Sequence, residues 1–513
     1  MPGTEPAPER SANRGALVLM GGTLGSRITG LIRNSLLTQL FSASVSDAFI
    51  TAFKVPNLFR ELLAEGALTN SFVPAFARLG RDEGARLSAA LLGVLLIVNG
   101  ALLAGAWAAA PWLAALLIGD PGLVDVELTV QLIRIVFPFL LTISLSALAM
   151  GLLNAVEAFA APAWAPVALN VVTVTLMLLF PGHAVWLALA HVLGGLCQLL
   201  VQVPALVRLR LLPRGLRLWH PALPGVLLLM VPFAVTSGGR QVLNLLASNL
   251  ITRIDAGAQT AFYNADLFLS LALGLFSISP ALAYYSRLSR LAPTAPERVA
   301  PTLLEGLKLI TFLTVPAGVL LFLLAGPAVE VVFNWRSLTA AGGPADLRLP
   351  LSAVAAAPLG FAVFPMGLSN LLIRTFYIRD QVKVPVLVTL GTLTVQALLY
   401  VLLAPRFGLA GIAWAAVAAT GLQVVVLLLL VERREAYGLK DLLGSVGRVL
   451  LAAAAGAAAV LLVRVFLPGP PAGWWANAAW LAGAAAVFAA GYAAAGWLLG
   501  LETLRALSGR FRR

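Results

Sequence analysis

Apolar runs of roughly 20 residues or more follow one another along nearly the whole chain, separated by short clusters of Pro, Gly and charge. A helix rising about 1.5 Å per residue needs about 20 such residues to cross a hydrocarbon core of about 30 Å. Cutting the pattern at its breaks predicts about fourteen helices: residues 14–41, 45–77, 87–112, 126–156, 162–181, 183–208, 222–252, 258–288, 298–326, 349–377, 382–404, 408–432, 441–467 and 474–500. The longest connections, around Asp120 and from Asn334 to Pro350, are too short to fold alone. The expected fold class is therefore an all-α polytopic membrane protein whose function resides in the membrane region. The last two spans stand apart. They are rich in Ala and Gly, carry Trp474, Trp475, Trp480 and Trp497, and flank the Pro-rich turn Leu467 to Gly473. They read as an appended helical hairpin, residues 437–500, with interfacial Trp anchors.

Composition supports this frame. Hydrophobic residues make up 60% of the chain and charged ones 11%, with a mean hydropathy of +0.93, whereas soluble domains carry about 25% charged residues. A net charge of +13 in a soluble protein would suggest nucleic acid. Here the basic residues sit in short loops, where they act as topology signals and contacts to anionic membrane lipids, and no nucleic-acid partner is expected. With a cytoplasmic N-terminus, the inside loops would hold Arg78, Arg81 and Arg86, then Arg208 to Arg217, Arg287 to Arg298, Arg379 and Lys383, and Arg433 to Lys440. The outside loops would hold Asp120, Asp125 and Glu127, with Arg253, Arg336, Arg348 and Arg406 as exceptions. That asymmetry predicts both termini in the cytoplasm, with residues 1–13 as a polar tail and 501–513 as a basic one. Cys197 is the one cysteine, so no internal disulfide can form, and its apolar setting predicts an inert thiol.

Four cations change the picture: Arg27, Arg33, Lys54 and Arg60 fall inside the first two spans. Each costs about 2.5 to 3.5 kcal/mol at a bilayer centre on insertion scales, so a group of them implies a wet cavity or an anionic partner. Arg27 and Arg33 lie about 120° apart on an ideal helix, on the borders of one cavity, and Gly21, Gly22, Gly25 and Gly30 thin the same helix. The plainer alternative for Arg33 is snorkelling towards an interface. In the second span, Pro56 removes the donor for the Ala52 carbonyl beside Lys54 and Asn57, a candidate hinge. Asn57, Glu61 and Glu65 recur every four residues with Arg60 alongside. Two readings of that stripe stand: a salt-bridge cluster joining helices, or an anion site gated by the same pairs. The scarcity of acids at similar depth favours the second. His183, His191 and His220 have no metal-ligand spacing, and no nucleotide loop, nucleophile elbow or zinc motif occurs, so neither an enzyme nor a cofactor or metal site is expected.

The strings SRITGLIRN (Ser26 to Asn34), DAFITAFKVPNLFRELLAEGALTNSFVPAF (Asp47 to Phe76), FPFLLTISLSALAMGLLN (Phe137 to Asn154), PAWAPVALN (Pro162 to Asn170), GGLCQLLVQVP (Gly194 to Pro204) and FYIRDQVKVPV (Phe376 to Val386) resemble the MurJ/MviN lipid II flippase family of the multidrug/oligosaccharidyl-lipid/polysaccharide exporter superfamily. The resemblance implies two pseudo-symmetric six-helix lobes, residues 14–210 and 211–436, plus the C-terminal helix pair. It implies a substrate, lipid II (an undecaprenyl-diphosphate-linked disaccharide pentapeptide), moved from the inner to the outer leaflet of the bacterial inner membrane by alternating access, with the cell-wall synthesis machinery as a partner. It assigns Arg27, Arg33 and Arg60 to the cavity arginines, Asp47 to the acid opening the second span, and Glu65 to the Glu of an E-G-A motif. Arginine suits that role, because its planar fork grips diphosphate oxygens bidentately and stays charged.

This chain departs from the family in two places. Asn34 stands where the family commonly has Asp, and Leu267 follows Asp266 where the family has an arginine. Arg240, in the seventh span, is the candidate to take over that missing role, the alternative being that it pairs with Asp266 as a structural bridge. Spans 7, 11 and 12 contain no carboxylate for a sodium site. Two alternatives remain: a flippase for another polyprenyl-diphosphate glycan, and a transport-inactive relative acting as a scaffold or regulator of cell-wall assembly.

Overall fold

A backbone in lipid has no water to satisfy its N–H and C=O groups, so long helices are the economical answer. The computed structural model describes residues 8–63, 67–213, 215–334, 346–379, 381–466, 469 and 473–504, without side-chain detail for 8–20, 62–70 and 232–237. Among the described residues the chain is helical nearly throughout and has no strand. The first part holds α1 (Pro8–Leu40), α2 (Ala43–Leu63), α3 (Ala67–Leu117), α4 (Val126–Val136), α5 (Phe139–Ala155), α6 (Ala160–Leu179), α7 (Ala184–Leu200), α8 (Val203–Arg208) and α9 (Leu223–Ile251). The second holds α10 (Ala258–Leu273), a π-helical turn (Gly274–Ile278), α11 (Ser279–Thr294), α12 (Val299–Phe333), α13 (Arg348–Gly360), α14 (Val363–Ile378), α15 (Lys383–Glu435), α16 (Leu439–Phe466) and α17 (Trp474–Leu498).

Helix lies under every predicted span, although breaks fall elsewhere than hydropathy alone suggests. Two elements are kinked at an expected loop instead of ending there. α3 turns at Gly80 (φ 75°, ψ −178°) and α15 at Gly408 (φ 57°, ψ −138°), both in a backbone region that only glycine occupies without strain. Conversely, two predicted spans are divided: α4 and α5 separate at Phe137 and Pro138, and α13 and α14 bend by 48°. Among the described residues, nine helices are long and apolar enough to cross a membrane, or ten if the bent α13–α14 pair counts as one span. The expected fourteen are consistent with these elements, since α1 and α2 fall under predicted spans as well and carry the cations that dilute their apolar character.

By compactness the chain divides into Met1–Ala256 and Gly257–Arg513. In the first unit α9, expected in the second lobe, packs on α2 and α3. Its core has two parts. Phe72, Leu87 and Leu91 of α3 meet Leu152 and Leu153 of α5, while Val55 of α2 meets Phe137, Leu140, Ile143 and Leu169. Some buried polar groups inside it are paired across helices: Ser144 Oγ donates to Asn99 Oδ1 (3.2 Å) and Gln202 Nε2 to Ser146 Oγ (2.6 Å), whereas Thr51 Oγ1, Asn154 Oδ1 and Gln202 Oε1 have no protein partner among the described residues. In the second unit the C-terminal hairpin docks on α12 through Phe312, Val315, Val449, Val460, Phe488 and Tyr492. Two hydrogen bonds fix it there, from Tyr492 Oη to Phe312 O (2.9 Å) and from Trp474 Nε1 to Val331 O (2.8 Å). Trp475 and Trp497, two of the expected interfacial anchors, are exposed.

Candidate functional site

The glycines of α1 decide where its cations sit. A Cβ on Gly22 would run into the backbone of Ala163, and one on Gly25 would lie 3.3 Å from Val167 Cγ2, so α1 can approach α6 closely only because those side chains are missing. Ala163, Val167 and Asn170 repeat at helical spacing on α6, which brings the Asn170 carboxamide onto the opposite face of α1. Its Nδ2 donates to Ser26 O and to Thr29 Oγ1, both at 3.1 Å. Its Oδ1 accepts from Arg33 Nη1 at 3.0 Å. Ser26, Thr29 and Arg33 fall on one face of α1 by their spacing, so a single amide engages all three.

Arg33 is thereby held on two sides. Its Nε and Nη2 both donate to Asn34 Oδ1, at 3.2 and 3.1 Å, while Asn170 takes Nη1. Asn34 and Asn170 are buried. All of these acceptors are neutral, and among the described residues Arg33 makes no ion pair. The sequence marked Asn34 only as a departure from the family, and the structure gives it a use: it orients the guanidinium without cancelling its charge. Snorkelling does not describe this side chain, which is tied across to α6.

Arg60 belongs to a second network. Its Nε donates to Asn57 Oδ1 (2.9 Å), and Asn57 Nδ2 donates to Glu61 Oε1 (3.0 Å). Glu61 lies 3.9 Å from Arg60 Nη2, and its other oxygen accepts from Gln241 Nε2 of α9. Asn244 Nδ2 donates to Gln241 Oε1 at 3.3 Å. The four-residue stripe thus does join helices, as one of the two sequence readings held, but through an amide on α9 instead of a second charge. Arg60 and Glu61 keep 23% and 28% of their side-chain surface, which leaves the pair reachable from outside the packed core.

The remaining candidates are placed as follows. Arg27 and Lys54 are half-buried, and Asp47 is buried near the start of α2. Pro56 is buried within α2, which continues as one helix across it. Arg240 is exposed beside the buried Gln241, so neighbouring residues of α9 face opposite ways. Leu267, on α10, packs with the apolar cluster of Val329, Phe333 and Leu349. Glu65 lies outside the described residues. His191 is buried, lies tilted against Phe49 and Phe53 with ring centroids 4.6 and 5.3 Å away, and is hydrogen-bonded to Leu187 O, as a packed side chain. Sequence reading missed Asn170 and Gln241 as partners. The signal for Asn170 was present: a lone amide in register with the glycine face of α1.

Two cationic groups on neighbouring membrane helices, with one of them held by neutral acceptors alone, suit a ligand bearing negative oxygens. The profile of the family described as lipid II flippase MurJ matches residues 37–470. The chain belongs to this family. Among relatives, the lipid II flippase MurJ of Burkholderia cenocepacia is 30% identical over 449 residues, covering 83% of this chain and 84% of the relative. The probable lipid II flippase MurJ of Rhizobium tropici is 33% identical over 433 residues, covering 81% and 80%. A solved MurJ structure, in an inward closed conformation, superposes with a TM-score of 0.78 at 19% identity over 96% of this chain and 99% of that one. An inward-facing MATE-family multidrug resistance transporter of the MOP superfamily superposes at 0.69 with 17% identity over 82% and 98%. These likenesses confirm the expected family and its transporter fold. A MurJ-family chain is a transporter and not an enzyme, and it works in the membrane.

Proposed function

We propose that this MurJ-family protein flips lipid II, carrying its diphosphate and glycopeptide head from the inner to the outer leaflet of the bacterial inner membrane by alternating access. The observation that carries the reading is Arg33: a membrane-helix guanidinium held in place by two amides, with no carboxylate among the described residues paired with it. An unneutralised cation costs about 2.5 to 3.5 kcal/mol at mid-membrane, a cost that a bound diphosphate offsets. The similar proteins named lipid II flippase support lipid II as the carrier. Arg27, Arg60 and Arg240 complete the positive lining, Asp47 and Glu65 are the acids that balance it between substrates, and Pro56 is the hinge of α2. Both termini face the cytoplasm, in two pseudo-symmetric lobes with the hairpin appended, and the cell-wall synthesis machinery is the protein partner.

Depleting the protein tests this reading. Lipid II is expected to accumulate in the inner leaflet, out of reach of an externally added modifying enzyme. If a different polyprenyl-diphosphate glycan accumulates instead, the substrate assignment fails while the anion site stands.

A further inference from the structure

Resting on that reading, we infer that Asn170 is a positioning residue for the substrate's diphosphate: it sets the direction in which Arg33 presents its charge. The argument begins with the carboxamide's own orientation. Nδ2 is engaged by Ser26 O and Thr29 Oγ1, both at 3.1 Å. Thr29 Oγ1 spends its own hydrogen on Gly25 O (2.8 Å), so towards Asn170 it can act only as an acceptor. Turning the amide over would set its NH2 against the Arg33 guanidinium, donor against donor. Oδ1 therefore has one stable direction, towards Arg33 Nη1.

Asn34 alone would leave the guanidinium able to pivot. Nε and Nη2 share its single Oδ1, and both residues ride on the same helix. The contact from α6 removes that freedom by fixing the far nitrogen from a different element. Both acceptors are uncharged, so the full charge stays available, and each Nη atom retains a second N–H for a ligand oxygen. A carboxylate in either place would fix the fork equally well but neutralise it. The arrangement thus separates orientation from charge compensation, as a site for a doubly charged diphosphate requires.

The test uses the full-length protein in detergent or vesicles, with lipid II as the probe and both affinity and turnover measured. Asn170→Ala is expected to raise the dissociation constant about tenfold, the scale of one charge-assisted hydrogen bond. Turnover at saturation should stay near wild type. Thr173→Val serves as a stability control, since Thr173 Oγ1, elsewhere on α6, bonds Leu169 O of the same helix and Ala190 O of α7. Its affinity should be unchanged whatever happens to its thermal midpoint. Unaltered affinity in Asn170→Ala overturns the inference, as does an affinity loss matched by Thr173→Val at equal loss of stability. Should the Ala variant not survive purification, Asn170→Asp keeps an acceptor on Nη1 but cancels the charge. It is expected to weaken binding and flatten the dependence on ionic strength, and wild-type behaviour in that variant overturns the inference as well. If the wild-type protein itself fails to bind lipid II, the functional reading falls instead.

Discussion

Arg60 shows what a single residue must supply. Its Nε is anchored on Asn57 while Nη2 stands 3.9 Å from Glu61, a separation at which the pair attracts without closing into a tight fork. An anion with two oxygens can compete for that guanidinium; a lysine would offer it only a point charge. Arg60→Lys should accordingly abolish most flipping while membrane abundance and thermal midpoint stay near wild type. Full activity in that variant would reduce the role of Arg60 to a general positive potential. The residues that carry this argument were partly legible in the sequence. Arginines inside apolar spans are conspicuous because lipid penalises them. Asn170 and Gln241 were not, because a neutral amide in a membrane helix carries little penalty once paired, and its partner lies more than a hundred residues away in the chain.

Helices set the register in which those side chains meet. α1 and α6 approach across Gly22 and Gly25, and the obstacle to a larger residue at 22 is the main chain of Ala163, which cannot rotate out of the way. Gly22→Ala should push the helices apart, break the Asn170 bridge, and cost about 1 to 3 kcal/mol of stability together with substrate affinity. Unchanged unfolding and binding would show that α1 is less closely held than described. α2 poses the opposite question. It continues through Pro56 as one helix, yet the Ala52 carbonyl lacks its usual donor, so bending there breaks no hydrogen bond. Pro56→Ala restores that bond and is expected to slow turnover with affinity retained; wild-type turnover would dismiss the hinge. Hydropathy located these elements well and their ends poorly. The kinks at Gly80 and Gly408 fall at the loops that Arg78 to Arg86 and Pro405 to Arg406 mark in the sequence, but each takes up a single residue and helix resumes on both sides. Pro138 and the α13–α14 bend, by contrast, interrupt helices inside spans that remain apolar throughout.

At the scale of the molecule, the sequence established the class because no other fold can bury so much apolar surface with so few charges, and the MurJ family match agrees. The packing of α9 on α2 and α3 was less accessible: it includes Gln241 donating to Glu61, with Asn244 donating in turn to Gln241, contacts that nothing in local composition announces. The central claim is that guanidinium groups in the first two helices carry a diphosphate lipid across the membrane. Its most direct test is flipping in reconstituted vesicles. Fluorescent lipid II is loaded in both leaflets, and the rate at which the inner pool becomes accessible to an impermeant quencher is followed. Wild-type protein should expose the inner pool at a rate well above protein-free vesicles, and Arg33→Ala, folded and inserted to the same extent, should not. Equal rates for wild type and Arg33→Ala, or no acceleration by the wild type, would contradict the account.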